Sequence, residues 1–387
     1  METYKSAQPT NIPLCEPNLK GNEKEYSAAA IDSNWLSGGH FLNLFEQKIS
    51  EFTGAKYVVG VSSGTTALQI SLILAGVERN DLVIIPNLTF VATANSVKYL
   101  NADPILVDIN PYSWVLDLNL LKDFLKNETY LLNGSCYYKL NNRRIKAVIT
   151  VHLLGNMCAM EELLSLGKQY QINVIEDAAC SLGSFQGGQH SGTFGLVGTL
   201  SFNSNKIITT GGGGAILTND ENLAKKARYL ISQAKSPGIE YLHSDLGYNY
   251  RLVNPLAAIG VAQMEQLDKF IERKKSIAIS YFRNLSLTGS QIQTITPNTD
   301  SNIWHFVLLT KKSRELITYL SEQNIESRPV WIPINELPIF RNDTYIFNQN
   351  HSKNISETGV MLPCSTSITD EQIMLVCKSI DYFFKNL

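Results

Sequence analysis

Lys206 stands between a short apolar strand and four consecutive glycines in SFNSNKIITTGGGGAILTND, residues 201–220. A phosphate loop of the GK[ST] kind would place its glycines before the lysine, and a solvated hairpin lysine would not need so much bare backbone. A lysine that condenses with an aldehyde does need it. Glycines 211–214 let backbone pass close to a bulky ligand, and the attacking amine must be neutral, a state that partial desolvation favours. Two further stretches supply matching chemistry. VSSGTT (61–66) leaves a strand and enters a helix through Gly64, so free backbone N–H groups and the hydroxyls of Ser63, Thr65 and Thr66 can hold a phosphate. VIEDAAC (174–180) ends a buried strand in Glu176 and Asp177, where a carboxylate is costly unless it meets a cation or donors. Each stretch alone has a plain alternative: a surface hairpin, an ordinary strand–helix turn, a helix N-cap aspartate. Together they fit one cofactor, pyridoxal 5'-phosphate, with a turn for its phosphate, a carboxylate for its protonated ring nitrogen and a lysine for its aldehyde. Ala178 and Ala179 are small enough to let a flat ring lie against the strand end.

The elements that must position these groups alternate in type. AKYVVGVSS, DLVIIPN, DPILVDI, IKAVITVHL and INVIEDA read as buried strands, and TALQISLILAGV, TANSVKYLN and MEELLSLGKQY as helices between them. That rhythm implies an α/β fold with a mostly parallel sheet between helices. It changes near residue 256: PLAAIGVAQMEQLDKFIERKKSIAISYFRNL reads as one long helix, followed by a strand IWHFVLLT, a helix SRELITYLSEQ and a proline-rich stretch. The predicted division is a large domain, 1–255, and a smaller α+β domain, 256–387. NETYLLNGSCYYKLNNRR (127–144) reads as an exposed hairpin or loop.

Composition narrows the function. The 387 residues are 44% hydrophobic and 18% charged with a formal net charge of −2, which argues against a nucleic-acid or membrane-surface binder. No apolar run reaches membrane-spanning length and METYKSAQPTNIPLCEPNLKGNE has no signal-peptide core, so a cytoplasmic protein is expected. The six cysteines (Cys15, Cys136, Cys158, Cys180, Cys364 and Cys377) show no CxxC pair or metal-ligand spacing, and no metal site is expected.

Through SSGTTAL, TFVATANSV, VHLLGNMCAM, IEDAACSLGS, GTFGLVGTLSFNSNKIITTGGGGAI and GYNYRL, in that order, the chain resembles the DegT/StrS family of nucleotide-sugar aminotransferases almost end to end. The resemblance implies a fold type I pyridoxal-phosphate enzyme, a homodimer with shared active sites, acting on a nucleotide-linked 4-keto sugar with L-glutamate as donor. GNEKEY, NKIITTGGGG, SRPVWIPINELPIF and LPCSTSITDEQ are most similar to the branch making UDP-4-amino-4,6-dideoxy-N-acetylglucosamine. A GDP-perosamine-type aminotransferase, whose sugar lacks the acetamido group, is the nearest alternative. A same-fold dehydratase carries histidine in place of the lysine, and a cofactor-free regulator would not need the Asp177–Lys206 pair.

Carried over position by position, Lys206 matches the Schiff-base lysine and Asp177 the ring-nitrogen partner. Thr65, Thr66 and Ser201 match phosphate-binding positions, and Phe90 the aromatic that stacks on the ring. Gly64, Ala179, Cys180 and Asn203 complete the expected cofactor contacts, and Asn249 matches an asparagine reaching the phosphate from the neighbouring subunit. Trp35, His152, Arg328 and Trp331 are candidate substrate contacts; packed core or surface roles are the alternatives. Three positions depart from the common pattern: Gly212 where many relatives have Glu, Cys180 where His, Gln or Glu is frequent, and Ala159 where Asp is common.

Overall fold

In the strand Leu82–Pro86, Leu82 and Ile84 pack into the apolar core on one side of the sheet, and Val83 and Ile85 into the core on the other. Val174 and Ile175 of Asn173–Asp177 divide in the same way. Burial on both faces is what parallel strands joined by helical crossovers require. The structure, a computed structural model, describes residues 11–285 and 292–386; positions 1–10 of the stretch read above as having no signal-peptide core lie outside them.

Among the described residues the main sheet has ten strands. Its path runs Tyr57–Val61, Gly214–Thr218, Val197–Ser201, Asn173–Asp177, Arg144–Val151, Leu82–Pro86, Asp103–Val107 and Thr344–Ile346. Neighbours from Val197–Ser201 onward pair in parallel. Gly214–Thr218 runs against both of its neighbours. This reversal matters for the site. Because the strand is antiparallel, it begins where the parallel strands end, and Gly214 sits in register with Ser201. The helix Gly64–Leu74 starts at that same end, capped by Ser63.

The segment 127–144 is a hairpin, with Thr129–Leu132 paired to Ser135–Tyr138 and Asn133 and Gly134 both at positive φ in the turn. The long helix expected from 256 onward is two helices, Asn254–Met264 and Leu267–Asn284. Between them Gln266 N–H bonds the Gln263 carbonyl at 3.1 Å, a tighter i to i−3 turn that breaks the α ladder. The first of the two packs on helices Glu23–Asp32 and His40–Thr53, which belong to the large layer. The strand expected over IWHFVLLT forms only at Val307–Leu309, because Ile303 takes a positive φ of 46° and turns Trp304 out of any strand alignment.

Val307–Leu309, Gly359–Met361 and Arg328–Pro329 form a small antiparallel sheet. It shares a core of Tyr281, Leu308, Leu316, Val360 and Ile373 with the helices Leu267–Asn284, Ser313–Glu322 and Asp370–Lys385. Sequence on either side of residue 255 crosses between the layers: Thr344–Ile346 joins the large sheet, and Ile12 bridges Ile325. Among the described residues no helix is long and apolar enough to cross a membrane.

The junction of strand return and helix start is close-packed. A Cβ on Gly214 would lie 2.6 Å from the Ser63 carbonyl carbon and 2.7 Å from the Gly64 nitrogen. Gly214→Ala should therefore destabilise the fold by roughly 1–3 kcal/mol, as overpacking does. Urea titration measures it, and an unchanged midpoint would show that the turn can move aside.

Candidate active site

At this end of the sheet a cavity of about 320 Å³ is lined by Gly64, Thr65, Phe90, Asp177, Ala179, Cys180, Ser201, Asn203, Lys206 and Trp331 among the residues expected from sequence. Chemistry singles it out. A larger cleft of about 420 Å³ at Ala278, Phe282 and Phe306 is nearly all apolar and has no lysine–carboxylate pair.

Glu176 and Asp177 end the strand Asn173–Asp177 side by side, and strand alternation sends them to opposite faces. Glu176 is fully buried and fully engaged. Its carboxylate accepts the backbone N–H groups of Gly192 (2.8 Å), Phe194 (2.7 Å) and Gly195 (2.7 Å) and meets His152 Nε2 at 2.9 Å. His152 Nδ1 accepts the Cys158 N–H at 3.4 Å, so the ring proton sits on Nε2 and both nitrogens are used inside the core. His152 does not line the cavity.

Asp177 faces the other way. Thr93 Oγ1 donates to Oδ2 at 2.8 Å and the Ala179 N–H to Oδ1 at 3.2 Å. Two of roughly four acceptor positions are thus filled. Burial pushes the carboxyl above the usual carboxylate range, while the bonds from Thr93 and Ala179 and the charge of Lys206 pull it down. A desolvated carboxylate with acceptor capacity toward a cavity suits a cationic N–H, such as a protonated pyridine nitrogen.

The opposite wall is an anion cradle. Ser63 and Thr66 close a reciprocal cap: the Ser63 hydroxyl accepts Thr66 N–H at 3.1 Å, and Thr66 Oγ1 accepts Ser63 N–H at 3.1 Å. Thr66 is thereby spent on holding the turn and does not line the cavity. The first helical N–H groups, those of Gly64 and Thr65, carry the partial positive charge of the helix start. A Cβ on Gly64 would come 2.8 Å from that of Ser201, so only glycine brings the helix start this near the Ser201 hydroxyl. At Gly212 a Cβ would meet nothing within 4 Å, which agrees with a position where relatives carry a larger residue.

Lys206 reaches into the cavity between these walls. Its Nζ lies 3.3 Å from Cys180 Sγ and 4.1 Å from the centre of the Trp304 ring. Burial pushes the Cys180 thiol up, so sulfur faces the amine as an uncharged group. The residues present fit pyridoxal phosphate at each of its three polar ends.

Three expected residues lie elsewhere in the chain's own fold. Asn249 is exposed, in a bridge with Ser232. Trp35 is 72% exposed, and Arg328 is exposed with its guanidinium 3.1 Å from Glu326. Phe90 lines the cavity yet is 57% exposed, standing at its mouth. Thr93 and Trp304 were missed by sequence reasoning. Thr93 sat unremarked in TFVATANSV, and the apolar run IWHFVLLT disguised Trp304 as a strand residue. Among the described residues no group of three or more His, Cys, Asp or Glu side chains could hold a metal ion.

The DegT/DnrJ/EryC1/StrS aminotransferase family matches residues 17–381. The chain is 36% identical over 381 residues to the GDP-perosamine synthase of Escherichia coli O157:H7, covering 97% of this chain and 99% of that protein. It is 38% identical over 371 residues to EpsN of Bacillus subtilis (strain 168), provisionally named a pyridoxal phosphate-dependent aminotransferase, covering 93% and 92%. Among solved structures, Spr1654 of Streptococcus pneumoniae in its PLP-form shares the fold, with a TM-score of 0.86 at 22% identity over 97% of this chain and 99% of that one.

The position of Asp177 has a cost that can be measured. Its folded-state proton affinity exceeds that of the unfolded chain, so ionisation opposes folding; the penalty is absent in acid and complete once pH passes the raised value. Cofactor-free Asp177→Asn should thus melt above the cofactor-free parent at neutral pH, and the gap should close as pH falls through the carboxylate range. Calorimetry at several pH values tests it; a lower melting temperature for the variant at neutral pH contradicts the reading.

Proposed function

The chain belongs to the DegT/DnrJ/EryC1/StrS aminotransferase family, and from that premise we propose that it moves an amino group from L-glutamate to the 4-keto carbon of a GDP-linked 6-deoxy sugar, a perosamine-type reaction. It is a pyridoxal-phosphate-dependent sugar aminotransferase. The observation that carries the reading is that Lys206, Asp177 and the start of the helix Gly64–Leu74 face one cavity. GDP-perosamine synthases among its relatives support the sugar. They favour it over the UDP-linked acetamido sugar that GNEKEY, NKIITTGGGG, SRPVWIPINELPIF and LPCSTSITDEQ suggested.

Bound pyridoxal phosphate supplies an electron sink for the carbanion formed next to the amino nitrogen. Asp177 holds the proton on the ring nitrogen, which keeps that sink strong. The N–H groups of Gly64 and Thr65, with the Ser201 hydroxyl, hold the phosphate. Phe90 covers the mouth and Ala179 leaves room at the strand end. Lys206 Nζ takes the α-proton of the donor and returns a proton when nitrogen passes to the sugar, the role of a general base and acid that must be neutral in one half and charged in the other. Cys180 gives that amine a neutral neighbour in both states.

The reading extends to a homodimer. Asn249 lies in a stretch where Ile239, Tyr241, Leu242 and Leu246 are strongly exposed, a patch suited to a second copy of the chain. In an isologous interface each subunit would give Asn249 to its partner's phosphate site and receive one in return.

Two experiments test this. The first is an amination assay with glutamate across GDP-, UDP- and dTDP-linked 4-keto sugars. Turnover should be highest with the GDP sugar, and clear preference for the UDP-linked acetamido sugar would overturn the choice. The second mixes Lys206→Ala and Asn249→Ala chains, each severely impaired alone. Heterodimers hold one site with both lesions and one with neither, so about a quarter of wild-type activity should return after complete exchange of a 1:1 mixture. No recovery in proven heterodimers would sink the shared site.

A further inference from the structure

We infer that Trp304 is a positioning residue whose indole face holds the free side-chain amine of Lys206 inside the cavity. The inference rests on the reading of Lys206 as the acting amine. Trp304 comes from the segment after Ile303, roughly a hundred positions beyond the lysine, and is 2% exposed. Its ring centre is 4.1 Å from Lys206 Nζ. That is well inside the range in which an aromatic face attracts an ammonium, an attraction equivalent to an occupancy preference of about 2- to 30-fold.

The indole is fixed on several sides. Nε1 donates to the Asn205 carbonyl at 2.8 Å, so the ring is tied to the turn that carries Lys206 itself. Its N–H bonds the Leu154 carbonyl at 3.0 Å. Its carbonyl accepts Lys274 Nζ at 2.9 Å, and that buried ammonium also donates to the Cys364 carbonyl at 2.6 Å. Trp331 lies parallel to it, 16° between planes with centroids 6.4 Å apart. Of the two partners the lysine chain alone has freedom to move, since four flexible bonds separate its amine from the backbone.

A lysine that serves both as attachment point and as proton carrier is detached for part of each cycle. During that part an unpaired side chain would sample solvent. A rigid face beside the cavity returns its ammonium to one place, inside the cavity and close to Cys180 Sγ. The bond through Asn205 adds register, because any shift of the lysine turn carries the indole with it.

The test labels amines in the full-length chain freed of its cofactor. Acetic anhydride is applied under limiting conditions, and acetylation of Lys206 is followed by mass spectrometry against the exposed Lys225. Removing the face frees the amine, so Trp304→Leu should raise Lys206 labelling about 3- to 10-fold relative to Lys225. Trp304→Phe keeps an aromatic face and should stay within about twofold of the parent. Unchanged labelling in a folded Trp304→Leu chain, or a Phe variant as reactive as the Leu variant, overturns the inference. Should Trp304→Leu fail to fold, Trp304→Met fills the space with a flexible chain and no ring, and the same outcomes apply. The readout needs no sugar. If labelling behaves as expected while Lys206→Ala still turns over, the reading of Lys206 fails and the contact itself stands.

Discussion

Two carboxylates occupy adjacent positions at the end of a central strand, both out of solvent, and much of the surrounding structure follows from how each is satisfied. Burying an ionised carboxylate without donors costs several kcal/mol. Glu176 answers that cost inside the protein, with three backbone N–H groups and the imidazole of His152. The loop Gly192–Gly195 is thereby fastened under the sheet. Asp177, turned to the other face, receives only Thr93 and Ala179 and keeps capacity toward the cavity. One residue is a structural anchor and its neighbour faces the cavity with acceptor capacity to spare, and the difference is the parity of the strand.

A second constraint lies in the reversed strand. Were Gly214–Thr218 parallel to its neighbours, the glycine run would start at the far end of the sheet and Lys206 would have no path to Asp177. Antiparallel pairing brings Gly214 beside Ser201 and against Ser63, which fixes the start of the helix Gly64–Leu74 at the cavity. The glycines then divide in purpose. Gly64 and Gly214 are required by close approach, Gly211 by its φ of +79°, and Gly212 by nothing in the packing.

These particulars explain what could be read from sequence. The alternation of buried strands and helices over 57–177 was legible because burial on both faces leaves continuous apolar runs, and MEELLSLGKQY is the helix Met160–Tyr170 residue for residue. Asp177, Gly64 and Thr65 were legible because each sits at an element end on one side of one sheet and Lys206 because glycines follow it, whereas Ser201 came from the family resemblance. The break at Gln266 was hidden, since both helices continue an apolar pattern through it. Trp304 was hidden for a related reason: a positive φ at Ile303 decides its direction, and a β-branched residue gives no warning of that conformation. His152 was ambiguous because a histidine after a strand suits a packed core or a site equally, and only its bond to the buried Glu176 decides between them.

The cavity thus has two kinds of wall. One is built from residues 63–65, 177–180 and 201–213, where backbone N–H groups, a carboxylate and an amine converge on fixed element ends. Under the proposed function this wall serves nitrogen transfer whichever sugar enters. The other is built from Phe90, Trp304 and Trp331, aromatic faces drawn from loops and from the small layer. A loop-borne aromatic can change its neighbours without disturbing Asp177 or the helix start, because neither Thr93 nor the Ser63–Thr66 cap depends on it. Trp304 is the exception, tied by Asn205 to the lysine turn and by Lys274 to the small layer. It is where the two walls are joined, and therefore where a change in the small layer would be felt by the amine itself.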